Sequence, residues 1–294
     1  MTMLRQLVVN ADDLGLTVGV NDGIFDAHDL GILTSASLFA SAPATADAIR
    51  RLRSHPSLGV GVHLALVDGM PTLPLAEVPS LVAADGRFRP SWKPFIVDAL
   101  RRRISTADVE RELTAQIERV VGMGITPTHL DAHKHVHGYP PVFAIVARLA
   151  VRFGIPVVRV PYEWAVGRPF RRRQQQAWLN AAMWPWARRN VRAAASLGLR
   201  TPRLVGRIDT GSLNGDRLSE LLRATGPGVT ELMVHPGYLD EALKRTGTRL
   251  LESRAQELEL LCTMKTRALV AGERIELVRH DLVHPAKRSF RHVS

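Results

Sequence analysis

The 294-residue sequence contains a single cysteine, Cys262. One thiol can form neither an intrachain disulfide framework nor a thiolate metal cluster, which is typical of proteins of the reducing cytoplasm. No apolar run approaches the roughly 18 residues that span a bilayer. The first apolar stretch also lacks a small-residue cleavage site, so no signal peptide is predicted. We therefore expect a cytoplasmic protein without a membrane-spanning helix.

Acidic residues are missing from one long segment, residues 168–203, which we call the basic segment. The net charge of the chain is +11, and nine arginines of the basic segment supply nine of these charges, so the remaining residues are nearly balanced. Three of the five tryptophans also lie in the basic segment. Pro185 is expected to divide it into two short helices, because proline interrupts a helix interior.

Arginines and tryptophans in this arrangement are typical of helices that lie on an anionic membrane surface. The predicted membrane-docking residues are Arg171, Arg172, Arg173, Trp178, Trp184 and Trp186. One alternative is a solvated basic helix pair that packs on the rest of the protein. Nucleic-acid binding is a second alternative, but no recognised nucleic-acid-binding fold accompanies the basic patch. We expect a peripheral membrane protein and no nucleic-acid partner.

Apolar runs rich in β-branched residues recur along the chain, and helical patterns separate many of them. The runs include "QLVV", "LGVGVHLAL", "PVVRVP" and "ELMVHP", and helices are predicted over 107–122 and 141–153. Strands that alternate with helices indicate βαβ units and a parallel sheet. The predicted fold is a single α/β domain over residues 1–294 that closes as a TIM-like barrel. An open two-domain sheet is the alternative.

Polar and ionisable residues follow these apolar runs at the points where the strands are expected to end. They are Asp12, Asp13, His63, Asp131, His133, Arg159, Asp209 and His235. Reactive residues of barrel enzymes lie at the carboxyl ends of strands. Helix capping is the alternative role for the first two aspartates, but histidines are not N-caps, so capping does not explain the recurrence.

Paired carboxylates with several histidines and no available thiol predict a divalent ion held by oxygen and nitrogen ligands. One carboxylate of "NADDLG" would bind the ion, and its neighbour would act as a base toward water. The stretch "THLDAHKHVH" contains four histidines in nine residues, and one ion cannot bind all four. For His63 and His235, a structural role in the protein core is the alternative to a functional one.

Four motifs resemble, in order and spacing, the YdjC-like carbohydrate deacetylases: "VVNADDLG", "GVHL", "PTHLDAHKHVH" and "ELMVHPGY". The resemblance extends from about Arg5 to Arg267. It implies a distorted (β/α) barrel related to the polysaccharide deacetylases. It also implies one divalent metal ion, Mg or Zn, and the removal of acetyl groups from N-acetylated amino sugars.

The motif match also implies a role for individual residues. Asp13, His63 and His133 would hold the ion, Asp12 would be the general base, and His235 would be the acid that protonates the departing amine. Three further residues are expected at the substrate: Arg159, which orients either the base or the substrate, His137, which is a second candidate ligand, and Tyr162. His129 and His135 are expected not to bind the ion.

The basic segment departs from the family members that act on oligosaccharides and is similar to the hopanoid-biosynthesis branch. That similarity implies an N-acetylglucosaminyl lipid on a bacteriohopane skeleton as the substrate. The protein would then reside on the cytoplasmic side of the inner membrane. The alternatives are a deacetylase of soluble chito-oligosaccharides and a barrel without catalytic activity. Neither the native ion nor the oligomeric state is predicted.

Overall fold

The computed structural model describes residues 4–163 and 174–282. Three of the predicted docking residues, Arg171, Arg172 and Arg173, lie outside the described residues. None of the helices in the described ranges has the length and apolar character that crossing a membrane requires.

Parallel strands form the centre of the described structure. They are β1 Arg5–Leu14, β2 Ser35–Leu38, β3 Gly59–Leu64, β4 Leu130–Ala132, β5 Arg203–Val205, β6 Gly228–Val234 and β7 Ile275–Leu277. Their order in the sheet is β4-β3-β2-β1-β6-β5, and β7 pairs with the first residues of β1. The central strand β1 is buried along almost its whole length, as expected for a strand of a parallel sheet that is covered on both faces.

Helices surround this sheet in the described ranges. They are α1 Val18–Asp29, α2 Thr45–Leu52, α3 Trp92–Leu100, α4 Thr106–Gly122, α5 Pro140–Arg152, α6 Gln174–Ala182, α7 Trp184–Ser196, α8 Gly215–Arg223, α9 Glu241–Arg245, α10 Glu252–Cys262 and α11 Met264–Gly272. The two helices predicted over 107–122 and 141–153 are confirmed to within one residue at each end. Helix α4 follows the capping hydroxyl of Ser105 and buries an apolar face that includes Leu113 and Ile117.

The segment 157–163 closes the sheet into a distorted barrel. Val158 bridges Leu130 of β4 and Glu163 bridges Leu204 of β5, both in the parallel direction. Because the strand pairings of the sheet are parallel, the carboxyl ends of the strands meet at one rim. The predicted single α/β domain with a distorted barrel is confirmed.

The basic segment supplies α6 and α7, which lie in the connection between the segment 157–163 and β5. The predicted break is confirmed, since α6 ends before Met183 and Pro185 lies in the first turn of α7. Helix α7 buries Ala187, Asn190 and Ala194. The Asn190 side chain donates a hydrogen bond to the carbonyl of Gly138 at 3.0 Å. This contact anchors α7 beside the chain that follows β4.

Helix α1 approaches the chain after β6 so closely that only glycine fits at position 23. A Cβ atom at Gly23 would lie 2.4 Å from the Cα of Gly237. We expect Gly23→Ala to lower the free energy of unfolding by about 1–3 kcal/mol, because the backbone must shift to admit the methyl group. Denaturant unfolding measures this change. Gly122→Ala is the control, since a Cβ there meets nothing within 4 Å, and an equal loss in both variants would contradict the packing argument.

Candidate active site and metal centre

A bulge near the end of β1 brings two adjacent carboxylates into one site. Ala11 pairs with Ala36, and Leu14 pairs with Leu38. Between these two pairings β1 therefore contains one more residue than β2. Asp13 has a φ of 72°, a left-handed conformation that is uncommon outside glycine. Neighbouring residues of a regular strand point to opposite faces, and the bulge breaks that alternation. Strain of this kind is concentrated at functional sites.

The capping alternative for the two aspartates is excluded by the start of α1. Its N-cap is Thr17, whose hydroxyl accepts a hydrogen bond from the backbone N–H of Val20 at 3.2 Å. Asp12 and Asp13 are both buried at the carboxyl end of β1 and are separated from this cap by the turn at Gly15. The free-energy cost of burying these two carboxylates is therefore not offset by capping, and contacts with the surrounding residues offset it instead.

Asp13, His63 and His133 converge on one point at the barrel rim. The Oδ1 atom of Asp13 lies 3.5 Å from His63 Nε2 and 3.3 Å from His133 Nδ1. Donors bound to Zn²⁺ at about 2.1 Å are separated from one another by roughly 3.0–3.5 Å, so these distances fit a shared ion. The three residues predicted as metal ligands are thus brought together by β1, β3 and the end of β4. Such a set of three protein ligands leaves coordination positions for water and substrate.

Each of these histidines has a carboxylate beside its other ring nitrogen. His63 Nδ1 lies 2.8 Å from Asp131 Oδ1. His133 Nε2 lies 3.6 Å from Asp68 Oδ2, and the ammonium group of Lys134 contacts the same oxygen. Carboxylates in this position orient ligating imidazoles and raise their basicity. The sequence marks Asp131 only as a strand-end residue. Asp68 lies in a loop without a motif, so only the fold identifies its role.

Arg159 holds Asp12 in place from below the rim. Two guanidinium nitrogens lie 2.8 Å from the two carboxylate oxygens of Asp12. The same guanidinium reaches Glu231 at 2.6 Å and Asp131 at 2.7 Å, and Arg159 is only 1% exposed. Burial raises the pKa of Asp12, but the charge and hydrogen bonds of Arg159, together with the neighbouring His63 and His235, outweigh it and hold this pKa well below its usual range. Asp12 is therefore ionised at any physiological pH.

Arg159 and His137, two of the residues predicted at the substrate, are both buried. Arg159 is enclosed by three carboxylates, an arrangement that suits the orientation of Asp12, the first of its two predicted roles. The Nε2 atom of His137 lies 2.9 Å from the backbone carbonyl of Arg159. Contact of either residue with a substrate stays a prediction.

The buried groups around this site include more carboxylates than guanidinium groups. Two guanidinium groups, Arg159 and Arg254, contact four carboxylates, Asp12, Asp13, Asp131 and Glu231. Buried charges of this kind are paired or coordinate a metal, and the excess of carboxylates favours a bound cation. Burial lowers the pKa of His63, but Asp131 and Asp13 outweigh it and raise this pKa to about 10. The donor chemistry and the excess of carboxylates both fit a divalent metal.

His235 lies at the same rim, directly after β6. Its backbone N–H donates a hydrogen bond to the buried Glu257 at 2.6 Å, which sets the direction of the chain at this point. Burial lowers the pKa of the His235 ring to about 4, against the opposing effect of Asp12 and Asp13. The imidazole is therefore neutral at pH 7 and lies within the electrostatic reach of both aspartates.

A cavity of about 330 Å³ opens above the three candidate ligands. One wall is apolar and includes Leu16, Phe39 and Met70, whereas Thr72 and Arg87 are among the polar lining residues. The ring of Phe39 meets His63 and His133 edge-on, with centroids 4.8 and 5.2 Å apart. The cavity therefore offers an apolar surface beside the three candidate ligands.

His129 and Tyr162 were also considered in the sequence. His129 is fully buried between the hydroxyls of Ser37 and Thr128. Tyr162 is partly buried, and its ring centroid lies 5.2 Å from that of Trp184. Tyr162 is not among the residues that line the cavity above the ligands.

The tryptophans of the basic segment differ in exposure. Trp178 on α6 is 76% exposed. Trp184 and Trp186 on α7 are partly buried, because their rings pack on Tyr162 and on Tyr139 respectively. The exposed face of α7 carries three arginines, Arg188, Arg189 and Arg192.

A family model for YdjC-like proteins matches residues 6–272. The chain belongs to this family. It is 37% identical over 279 residues to a carbohydrate deacetylase of Geobacillus stearothermophilus, which covers 95% of this chain and 98% of the relative. A carbohydrate deacetylase of Brevibacillus brevis is 34% identical and covers 93% of this chain and 97% of its own length.

The fold of this chain is also found among solved structures. A crystal structure from Enterococcus faecalis V583, described provisionally as a cellobiose-phosphate cleavage protein, superposes with a TM-score of 0.77 at 25% sequence identity. The match covers 96% of this chain and all of the other chain. The family predicted from the four motifs is confirmed, whereas the hopanoid branch stays a prediction.

Proposed function

We propose that this YdjC-like protein is a metal-dependent carbohydrate deacetylase that removes the N-acetyl group of an amino sugar. The observation that carries the proposal is the convergence of Asp13, His63 and His133 beside the Arg159-bound Asp12. The curated relatives described above as carbohydrate deacetylases support the same activity. The ligand set, its two outer carboxylates and the adjacent cavity together suit the hydrolysis of an amide.

A divalent ion held by Asp13, His63 and His133 would polarise the acetyl carbonyl and lower the pKa of water. Asp12 accepts a proton from the attacking water, and Arg159 keeps this carboxylate ionised and oriented for the transfer. The water oxygen bonds to the carbonyl carbon, and the bond from that carbon to nitrogen breaks. Acetate and a free amino sugar are the products.

His235 protonates the departing nitrogen in this proposal. Because the imidazole is neutral at pH 7, its proton must be supplied during the reaction, and Asp12 is the neighbouring group that has just gained one. The proton that leaves water thus reaches the amine through two side chains at the same rim. Phe39 covers the two histidine rings and restricts the access of further water.

The activity is tested by acetate release from N-acetylated chito-oligosaccharides. The protein is stripped of metal with a chelator, assayed, and assayed again after the addition of Zn²⁺ or Mg²⁺. We expect activity only in the reloaded samples, with at most one ion bound per chain. Equal acetate release with and without bound metal would refute the metal-dependent mechanism.

The substrate that we propose is an N-acetylglucosaminyl group carried on a hopanoid lipid at an anionic membrane surface. Support comes from the basic segment, which presents the exposed Trp178 together with the arginines of α7. The alternative is a soluble chito-oligosaccharide, for which no docking surface is needed. Parallel acetate assays on a soluble sugar and on a glycolipid distinguish the two substrates.

Binding to vesicles tests the docking part of this proposal. We expect the protein to bind anionic vesicles at low salt and to lose most of that binding as salt rises, because each arginine near the surface contributes about 1 kcal/mol that salt screens. Trp178→Ala should remove most of the residual, salt-resistant binding. Trp184→Ala with Trp186→Ala should have a smaller effect, because these two rings already pack on tyrosines.

Activity on a soluble sugar is the control in this experiment, and it should survive Trp178→Ala. If the wild-type protein does not bind anionic vesicles even at low salt, the docking proposal is contradicted and the soluble substrate is favoured.

A further inference from the structure

The chain after β7 crosses the barrel at the end opposite to the active site. We call residues 278–282 the C-terminal strap. The N–H of Val278 donates to the carbonyl of Leu7 at 3.0 Å, and Arg279 donates to the carbonyl of Pro56 at 2.9 Å. These contacts lie near the amino ends of β1 and β3. The strap also lies beyond the residues that match the family model, so the family likeness gives it no role.

His280 enters the barrel from this strap and is fully buried. Its ring stacks on His129 with a centroid distance of 3.8 Å and an interplanar angle of 26°. Nδ1 of His280 lies 3.3 Å from the hydroxyl of Ser35, and Nε2 lies 3.4 Å from Glu231 Oε2. Burying a polar ring at this depth costs desolvation free energy, and favourable contacts with neighbouring polar groups must offset that cost.

Glu231 connects His280 to the general base. Its Oε1 atom accepts a hydrogen bond from Nε of Arg159. Its Oε2 atom lies 3.4 Å from Nε2 of His280, which is within ion-pair distance, and neither of these two atoms has a hydrogen-bond partner among the described residues. Arg159 in turn binds both oxygens of Asp12. Buried networks of this kind hold one arrangement, because each group loses its partner if another moves.

We infer that His280 is a positioning residue, which acts through Glu231 and Arg159 to hold Asp12 in its reactive orientation. The inference rests on the proposed function, since it assigns His280 to the support of the proposed base. It predicts that a residue on the far side of the barrel controls turnover without contacting the substrate or the metal.

Three variants test this inference. His280→Phe keeps an aromatic ring over His129 but removes both nitrogens, and Glu231→Gln keeps the shape of the carboxylate but removes its charge. Each should lower kcat roughly 10-fold, the lower end of what outer partners of active-site groups contribute, with KM and metal content unchanged. Arg279→Ala is the matched control in the same strap, and it should leave kcat unchanged.

The double variant separates positioning from a general loss of packing. If His280 acts through Glu231, His280→Phe combined with Glu231→Gln should be no slower than Glu231→Gln alone. Losses that multiply, or an unchanged kcat in folded His280→Phe, would overturn the inference. If His280→Phe fails to fold, His280→Gln replaces it in the same comparisons.

A measurement without substrate keeps this inference separate from the proposed function. The Nε–H resonance of Arg159, which donates to Glu231, should shift in His280→Phe and stay in place in Arg279→Ala. A wild-type protein that releases no acetate would refute the proposed function, yet this resonance would still report whether His280 acts on Arg159. An unshifted resonance in an active enzyme would refute only the role of His280.

Discussion

Asp12→Asn protein is expected to bind its metal normally and to lose turnover by a factor of roughly 100 or more, the usual contribution of a general base. The amide oxygen can still accept one of the two hydrogen bonds that Arg159 donates to Asp12, whereas the amide nitrogen cannot accept the other. The amide cannot accept the proton of water, and the proton transfer that starts the reaction is lost. Metal content and kcat are measured on the same preparation.

Asp13→Asn is expected to impair metal binding, which must precede the catalytic reaction. Asp13 is the only carboxylate of the predicted ligand set, and its Oδ1 atom faces both histidines. Its other oxygen lies 2.5 Å from Arg254, which orients the carboxylate and leaves Oδ1 for the ion. An amide is a weaker ligand, and because it is neutral it leaves the positive charge of Arg254 without its carboxylate partner, so metal binding itself should weaken.

The two variants serve as controls for each other, since they differ by one position in the chain. Equal metal content and equal loss of activity in both would refute the division of roles between Asp12 and Asp13. Loss of metal in Asp12→Asn with retention in Asp13→Asn would show that the two roles are reversed.

His63→Ala and His133→Ala are each expected to remove the bound ion. Each variant deletes one of three protein donors, and the two that remain hold a divalent ion poorly. His129→Ala should keep the metal, because His129 is buried away from the ligand set between two hydroxyls. Metal per folded protein is measured by elemental analysis after gel filtration, with circular dichroism as the check on folding. Retention of the ion in His133→Ala would show that another residue supplies the third ligand.

The metal affinity should also depend on pH. Protons compete with the ion for His63, because Asp131 and Asp13 overcome the effect of burial and raise the pKa of this ring to about 10 in the metal-free protein. The apparent affinity should therefore rise with pH across the neutral range, and the ion should leave on acidification. Asp131→Asn should weaken binding roughly 10- to 100-fold and make it less dependent on pH, since it removes the group that raises the pKa of His63. An affinity that does not change with pH would contradict histidine ligation.

Local patterns in the sequence predicted much of the fold and the candidate metal ligands. Alternation of apolar runs with helical periodicity predicted parallel strands, and strand ends of a parallel barrel necessarily meet at one rim. Asp13, His63 and His133 each follow or end such a run, so their convergence could be inferred without coordinates. The break at Pro185 was equally local, since proline acts within its own helical turn.

The supporting residues depend on contacts between distant parts of the chain, which no spacing reveals. Arg254 reaches Asp13, and Arg159 joins Asp12 to Glu231, across separations set only by the closure of the barrel. His137 matches a ligand motif, yet the turn after β4 directs it to a backbone carbonyl instead of the rim.

For the basic segment, too, the sequence predicted the helices, whereas the tertiary structure decided which side chains are exposed. Its composition predicted two helices with docking tryptophans, but packing against Tyr139 and Tyr162 partly buries Trp184 and Trp186 and leaves Trp178 exposed. The sequence by itself determined which residue types could bind a metal and where the strands end, because both depend on neighbours in the chain. Only the tertiary structure decided which charges compensate one another, because burial removes water and makes each ionised group depend on partners that folding brings close.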